Sequence, residues 1–199
     1  MCVRVAVLAS GRGSNLQSII DHLATLGDAS AAEIVLVASN RASAPALDRA
    51  RSAGIPAEAF DSSDDGGVLF NLLRDHRIDL VVLAGYMKRV PSSVVREYHG
   101  RIVNVHPGLL PEFGGPGMYG AKVHDAVIAA GVSTTGVTVH LVDDEYDHGP
   151  VVAQWRVPVR ESETAEQLAA RVLEVEHLLY PRVVEMIAAL NDRKFFADF

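Results

Sequence analysis

The sequence predicts an α/β protein built on a doubly wound, mostly parallel sheet, and three observations carry that prediction. Short β-branched runs alternate with longer segments of helical period. Several runs are apolar on both faces, as strands covered by helices on both sides must be. A glycine-bearing loop, SGRGSN, joins the first run to the first helical segment. Repeated βα units of this kind imply right-handed crossovers and a Rossmann-like N-terminal half.

Taken in order, residues 3–9, 33–38, 57–60, 80–84 and 101–105 read as strands. Residues 15–26, 44–53, 68–77 and 91–98 read as the helices between them, the last opening with Pro91 in its first turn. From about residue 100 the pattern loosens. A glycine-rich loop, 113–120, leads to a helix over Ala121–Ala130, and two strands follow at 134–142 and 151–157, separated by the acidic turn VDDEYDHGP. Residues 163–189 form a long amphipathic helix, with Leu168, Val172, Val175, Leu179 and Val183 at helical spacing. No internal repeat, low-complexity stretch or linker interrupts the chain, so a single domain over 1–199 is expected, its two halves (1–100 and 101–199) sharing one sheet.

Composition narrows the function classes. The chain has 199 residues, 49% of them hydrophobic and 22% charged, but no apolar run approaches the ~20 residues of a membrane span. The opening MCVRVAVLAS is too short for a signal sequence and runs into a glycine loop, so it reads as a buried strand. One cysteine, Cys2, forms no internal disulfide and fits a reducing cytoplasm. A net charge of −7 with scattered basic residues argues against nucleic acid. An anionic small molecule would need a local site of backbone amides or a few placed cations.

Two segments carry chemistry. In SGRGSN, residues 10–15, glycines let the backbone approach a ligand and the helix N-terminus attracts an anion. A dinucleotide loop would need a third glycine where Leu16 stands, so a single phosphate monoester is the natural guest of Gly13, Ser14 and Asn15. The plainer alternative is a tight turn with Ser14 or Asn15 capping the helix. In NVHPGLLP, Asn104 and His106 are i and i+2 on an extended segment and leave one face together, at the strand end where open α/β sheets place ligands. An amide donor beside an imidazole suits acyl transfer, with a carboxylate to hold the imidazole. His140, Val142 and Asp144 alternate along their strand, which would aim Asp144 at the pair. A solvated turn explains most of Asp143, Asp144, Glu145 and Asp147, and has to fail for only one. Glu176 falls beside the apolar stripe of the last helix, placed to hold a cationic amine.

Together these motifs resemble the phosphoribosylglycinamide formyltransferases, folate-dependent enzymes of purine synthesis. The resemblance runs nearly end to end, through VLASGRGSNLQSII, DLVVLAGYMKRV, RIVNVHPGLLPEFGG, MYGAKVHDAVIAAG, TGVTVHLVDDEYDHGPVVAQ and EVEHLLYP. It implies the formyltransferase fold and transfer of the formyl group of 10-formyltetrahydrofolate to the glycinamide amine, by direct attack through a tetrahedral intermediate. It also implies a phosphate-binding half over 1–100 and a catalytic, folate-binding half over 101–199. Gly13, Ser14 and Asn15 would bind phosphate, Glu176 would lie near the amine, and Asn104, His106 and Asp144 would be catalytic. Met87, Lys88, Arg89 and Val90 would enclose the folate with His140, Leu141, Val142 and Asp143. Lys88 stands where the family often has Arg, with Arg89 adjacent, and no cation lies from Asp61 to Asp65, where a basic contact is common. On this reading Asn104 donates to the developing oxyanion, and His106, its pKa raised by Asp144, donates and then passes a proton to the leaving nitrogen. No metal is required, since the histidines and acids lack a ligand spacing. Monomer and homodimer both stay open, and no membrane or nucleic-acid partner is expected. The rivals are a formyltetrahydrofolate hydrolase, which usually carries an N-terminal regulatory domain, a transfer-RNA formyltransferase, which carries a C-terminal nucleic-acid-binding domain, and a non-catalytic binder of a phosphorylated ligand.

Overall fold

The computed structural model describes residues 2–63 and 65–190. In chain order the elements are β1 (Val3–Leu8), α1 (Ser14–Leu26), β2 (Ala32–Ser39), α2 (Pro45–Ser52), β3 (Ala57–Ala59), α3 (Gly67–Asp75), β4 (Leu80–Leu83), α4 (Ser92–Glu97), β5 (Ile102–His106), α5 (Ala121–Ala130), β6 (Thr134–Leu141), β7 (Val151–Pro158) and α6 (Ala165–Leu190). Each strand and helix read from the sequence is present, with ends that differ by at most two residues. The expected helix over 68–77 stops at Asp75 because Arg77 turns to a φ of +52°.

The described strands form one sheet of seven, in the order β3-β2-β1-β4-β5-β6-β7. β1 to β5 pair in parallel, whereas β6 and β7 run antiparallel. Because β1 lies between β2 and β4, the winding reverses there, and the crevice beyond the strand ends at such a reversal is where this architecture binds ligands.

Alternation along each strand divides the interior into two cores. Val3, Val5 and Val7 of β1, with Leu80 and Val82 of β4, pack under α1, α2, α5 and α6. Ala6, Leu8, Val81 and Leu83 face the opposite way, against α3 and α4. α6 spans much of the first face and buries Leu168, Val172, Tyr180, Val183, Val184 and Ile187. Tyr180 is fully buried, and its hydroxyl lies 3.0 Å from the Leu83 carbonyl of β4 and 3.1 Å from the Val103 carbonyl of β5. It ties α6 to the end of β4 and to the neighbouring backbone of β5. Among the described residues no helix is long and apolar enough to cross a membrane.

Candidate active site

A cleft of about 540 Å³ opens beyond the carboxyl ends of β1, β4 and β5. Asn15, the 85–90 segment after β4, Asn104 and His106 of β5, the turn after β6 and Glu176 of α6 all line it.

β5 sets the centre. Its residues Asn104 and His106 leave one face, and the antiparallel register places His140 of β6 directly opposite Asn104. His140 is 2% exposed and its Nδ1 lies 2.8 Å from the Leu141 carbonyl, so Nδ1 carries the proton and Nε2 is left as an acceptor. The Asn104 Nδ2 donates to that Nε2 at 3.1 Å. One amide proton of Asn104 is thereby fixed, and the other is free for a ligand. His106, 3% exposed, donates from Nε2 to the Phe113 carbonyl at 2.7 Å. Its Nδ1 is then the bare nitrogen of the neutral ring.

The carboxylate that meets Nδ1 belongs to Asp147, not to Asp144. Asp147 Oδ2 stands 3.6 Å from His106 Nδ1, and Oδ1 stands 3.6 Å from His140 Nε2. Asp147 also accepts from the Gly115 amide at 3.0 Å, joining the acidic turn to the glycine-rich loop. Asp144 is exposed on the cleft rim, and its backbone carbonyl accepts from Arg89. The expectation for Asp144 extended the two-residue period of β6 past Leu141, where the strand ends and the turn resets every side-chain direction. Asp147 has a φ of +55°, the left-handed conformation that lets a short acidic residue turn back. His106 is corrected in the same way. Burial pulls its pKa below the usual imidazole value, outweighing the opposing pull of Asp147 and the Phe113 carbonyl. The shift runs opposite to the rise expected from the sequence and favours the neutral ring. Burial likewise lowers His140.

At the far side, Glu176 is 8% exposed and accepts from Asn15 Nδ2 at 2.6 Å. Burial raises its pKa to about 7, with the Asn15 hydrogen bond pulling the other way. Neither Ser14 nor Asn15 caps α1, because no side chain bonds there and the Asn15 amide is turned to Glu176. The first-turn amides of α1 therefore have no intrahelical partner. Gly13 and Ser14 adjoin the cleft beside Asn15 and are not part of its wall.

Of the segments expected to enclose a folate, Met87, Lys88, Arg89, Val90, His140, Val142 and Asp143 line the cleft. Leu141 does not: its side chain is 4% exposed and packs in the core, since its neighbour His140 takes the cleft face. Lys88 and Arg89 are both exposed on that wall, and Arg89 also donates to the Asp144 carbonyl. Among the described residues no three acidic, histidine or cysteine side chains are grouped so as to hold a metal ion.

What the fold and the site define together is an α/β protein carrying an amide donor and an imidazole at the carboxyl end of β5, with a carboxylate from the turn after β6. Residues 3–184 match the formyl transferase family, and the chain belongs to it. A chloroplastic phosphoribosylglycinamide formyltransferase of Vigna unguiculata is 43% identical over 190 residues, covering 92% of this chain and 60% of the relative. Its counterpart in Arabidopsis thaliana is 41% identical, covering 92% and 65%. The chain thus spans less than two thirds of the length of these curated relatives. The crystal structure of phosphoribosylglycinamide formyltransferase from Anaplasma phagocytophilum superposes with a TM-score of 0.85 at 41% identity, covering 94% of this chain and 87% of the other. A formyltetrahydrofolate deformylase from Pseudomonas syringae is similar at 27% identity and a TM-score of 0.83, with 95% of this chain and 62% of that one covered.

Proposed function

We propose that the protein transfers the formyl group of 10-formyltetrahydrofolate to the amine of phosphoribosylglycinamide. The observation that carries this reading is the convergence of Asn104, His106, His140 and Asp147 on one cleft that also receives Asn15 and Glu176. The names of the similar proteins support it, and so does the fit of the cleft. Its volume of about 540 Å³ suits a drug-sized ligand, and Met87, Val90, Val142 and Leu173 offer an apolar wall beside Lys88.

The folate supplies a formyl carbon bonded to N10, the nitrogen that bridges its pterin and aminobenzoyl groups and leaves as an aryl amine. As the amine bonds to that carbon, negative charge grows on the formyl oxygen, and the free N–H of Asn104 donates to it. Loss of one such donor lowers rates by about 100 to 1,000-fold. His106 Nδ1 takes the proton that the amine loses. The imidazolium formed is held by Asp147 and returns the proton to the departing nitrogen as its bond to carbon breaks. His140 acts through Asn104, by fixing the amide's orientation. Gly13, Ser14 and Asn15 hold the phosphate with backbone amides, and Glu176 faces the glycinamide portion. Lys88 pairs with a carboxylate of the folate tail, while Arg89 keeps the acidic turn in place. A cytoplasmic setting and a single domain over 1–199 go with this reading, and a homodimer is compatible with it.

The test is to follow formyl loss from the folate with and without the phosphorylated amine. Amine-dependent transfer is expected. Equal loss without amine would establish the hydrolase instead, and no loss in either case would leave a binding protein.

A further inference from the structure

We propose that Arg49 is a positioning residue for phosphate recognition, acting from α2 on the far side of the glycine turn. The proposal rests on the phosphate reading of Gly13 to Asn15 given above. Arg49 is half-buried; its Nε donates to the Arg12 carbonyl at 2.7 Å, and its Nη1 donates to Gln17 Oε1 at 3.1 Å. One guanidinium therefore spans the turn and the first turn of α1. The same helix also holds the preceding peptide, since the Ala46 amide donates to the Gly11 carbonyl at 3.2 Å. Its Ala46 Cβ occupies the space a Cβ at position 13 would need, 2.9 Å away, and the φ of Gly13 is +73°.

The consequence follows from peptide planarity. In a trans peptide the C=O and the next N–H point in opposite directions. With the carbonyls of Gly11 and Arg12 drawn back to α2, the amides of Arg12 and Gly13 are turned away from it. Consecutive amides presented this way form an anion-binding concavity, which adds to the free amides of α1. A second feature marks this end of α1 as facing a ligand: Asn15 is 8% exposed, lines the cleft, and its Oδ1 has no partner. Lysine could not replace Arg49, because a single ammonium lacks the planar fork that reaches both acceptors.

Calorimetry with inorganic phosphate, alongside steady-state kinetics of the full chain, tests this. Arg49→Met is expected to weaken phosphate binding about tenfold and to raise KM for the phosphorylated amine by a similar factor. kcat and KM for the formyl donor should stay near wild type. Arg49→Lys should behave like Arg49→Met. Unchanged phosphate affinity in Arg49→Met, or full recovery in Arg49→Lys, would overturn the proposal, the latter by showing that charge alone suffices. If neither variant folds, Gln17→Ala removes one of the two acceptors, and a loss of about threefold is expected, with unchanged affinity counting against the proposal. Wild-type protein that binds phosphate but transfers no formyl group would sink the functional reading and leave this one standing. Active wild type that binds no phosphate would do the reverse.

Discussion

The two turns that flank the cleft, the acidic one lining it and the glycine one adjoining it beside Asn15, are held in different ways. The glycine turn before α1 is fixed mainly through its own backbone, by α2 behind it and by the left-handed Gly13. The acidic turn after β6 is fixed mainly through side chains: the Asp143 carboxylate accepts from the Glu145 amide at 2.8 Å and meets His148 at 2.9 Å, Asp147 accepts from Gly115, and Arg89 holds the Asp144 carbonyl. The glycine turn should tolerate changes of side chain that spare its φ angles and the contacts of Arg49. A wall built from side chains should respond to single changes of carboxylate.

The largest expected effect lies between the walls. Asn104→Ala should lower kcat by about 100 to 1,000-fold with little change in either KM, because the lost donor acts as charge develops. A KM effect alone would make Asn104 a binding residue.

The acidic wall comes next. Asp147→Asn should cost about 100-fold in kcat, within the range for a disabled proton shuttle, while Asp144→Asn stays within about threefold of wild type. The sign of the pH effect follows from His106. Burial already lowers its pKa, Asp147 opposes that, and removing the anion lowers it further. The acidic limb of kcat/KM, where the neutral ring is lost, should move to lower pH in Asp147→Asn. An unmoved limb, or a larger loss in Asp144→Asn, would reverse the two assignments.

Glu176 gives a smaller effect with the opposite sign for stability and function. Its pKa is raised from 4.5 to about 7, so the folded state binds more protons than the unfolded one between those values. The favourable contribution is complete below the unfolded pKa and is lost as pH rises through about 7. Glu176→Gln should therefore stabilise the free protein at pH 8 by up to about 3 kcal/mol, far less at pH 5, while weakening the phosphorylated amine. Thermal melts at the two pH values decide this, and an equal shift at both would mean that the carboxylate is not strained by burial.

The smallest expected change belongs to the backbone wall. Gly13→Ala forces a Cβ into the left-handed region against Ala46 and should cost about 1 to 2 kcal/mol, read as a lower Tm. A neutral result would show that the turn can shift without strain.

The same contrast explains what the sequence disclosed. Asn104 and His106 were legible because both lie within β5, where the two-residue period holds to the last residue. The SGRGSN loop was legible because a strand, glycines and a helix start follow one another locally. Asp147 was not, because its direction depends on a turn that begins where β6 ends and on the Gly115 amide far away in sequence. The available signal was general: four acids in one turn, of which one had to leave the solvent. The pairing of His140 with Asn104 needed the β5–β6 register, which no local pattern specifies. Glu176 was legible from its helical angle as a neighbour of the apolar stripe, and the structure buries it almost fully beside Asn15.

Tyr180 bears on the order in which the protein is made. Its hydroxyl reaches carbonyls 97 and 77 positions earlier in the chain, that of Leu83 at the end of β4 and that of Val103 within β5, and the same helix brings Glu176 to Asn15. A nascent chain that has already emerged through β5 still lacks both the hydroxyl that bridges β4 and β5 and the carboxylate that meets Asn15. Until α6 follows, the face of β4 and β5 that it covers, with the Leu83 and Val103 carbonyls on it, lies open, and a chain at this stage of synthesis is exposed to misfolding.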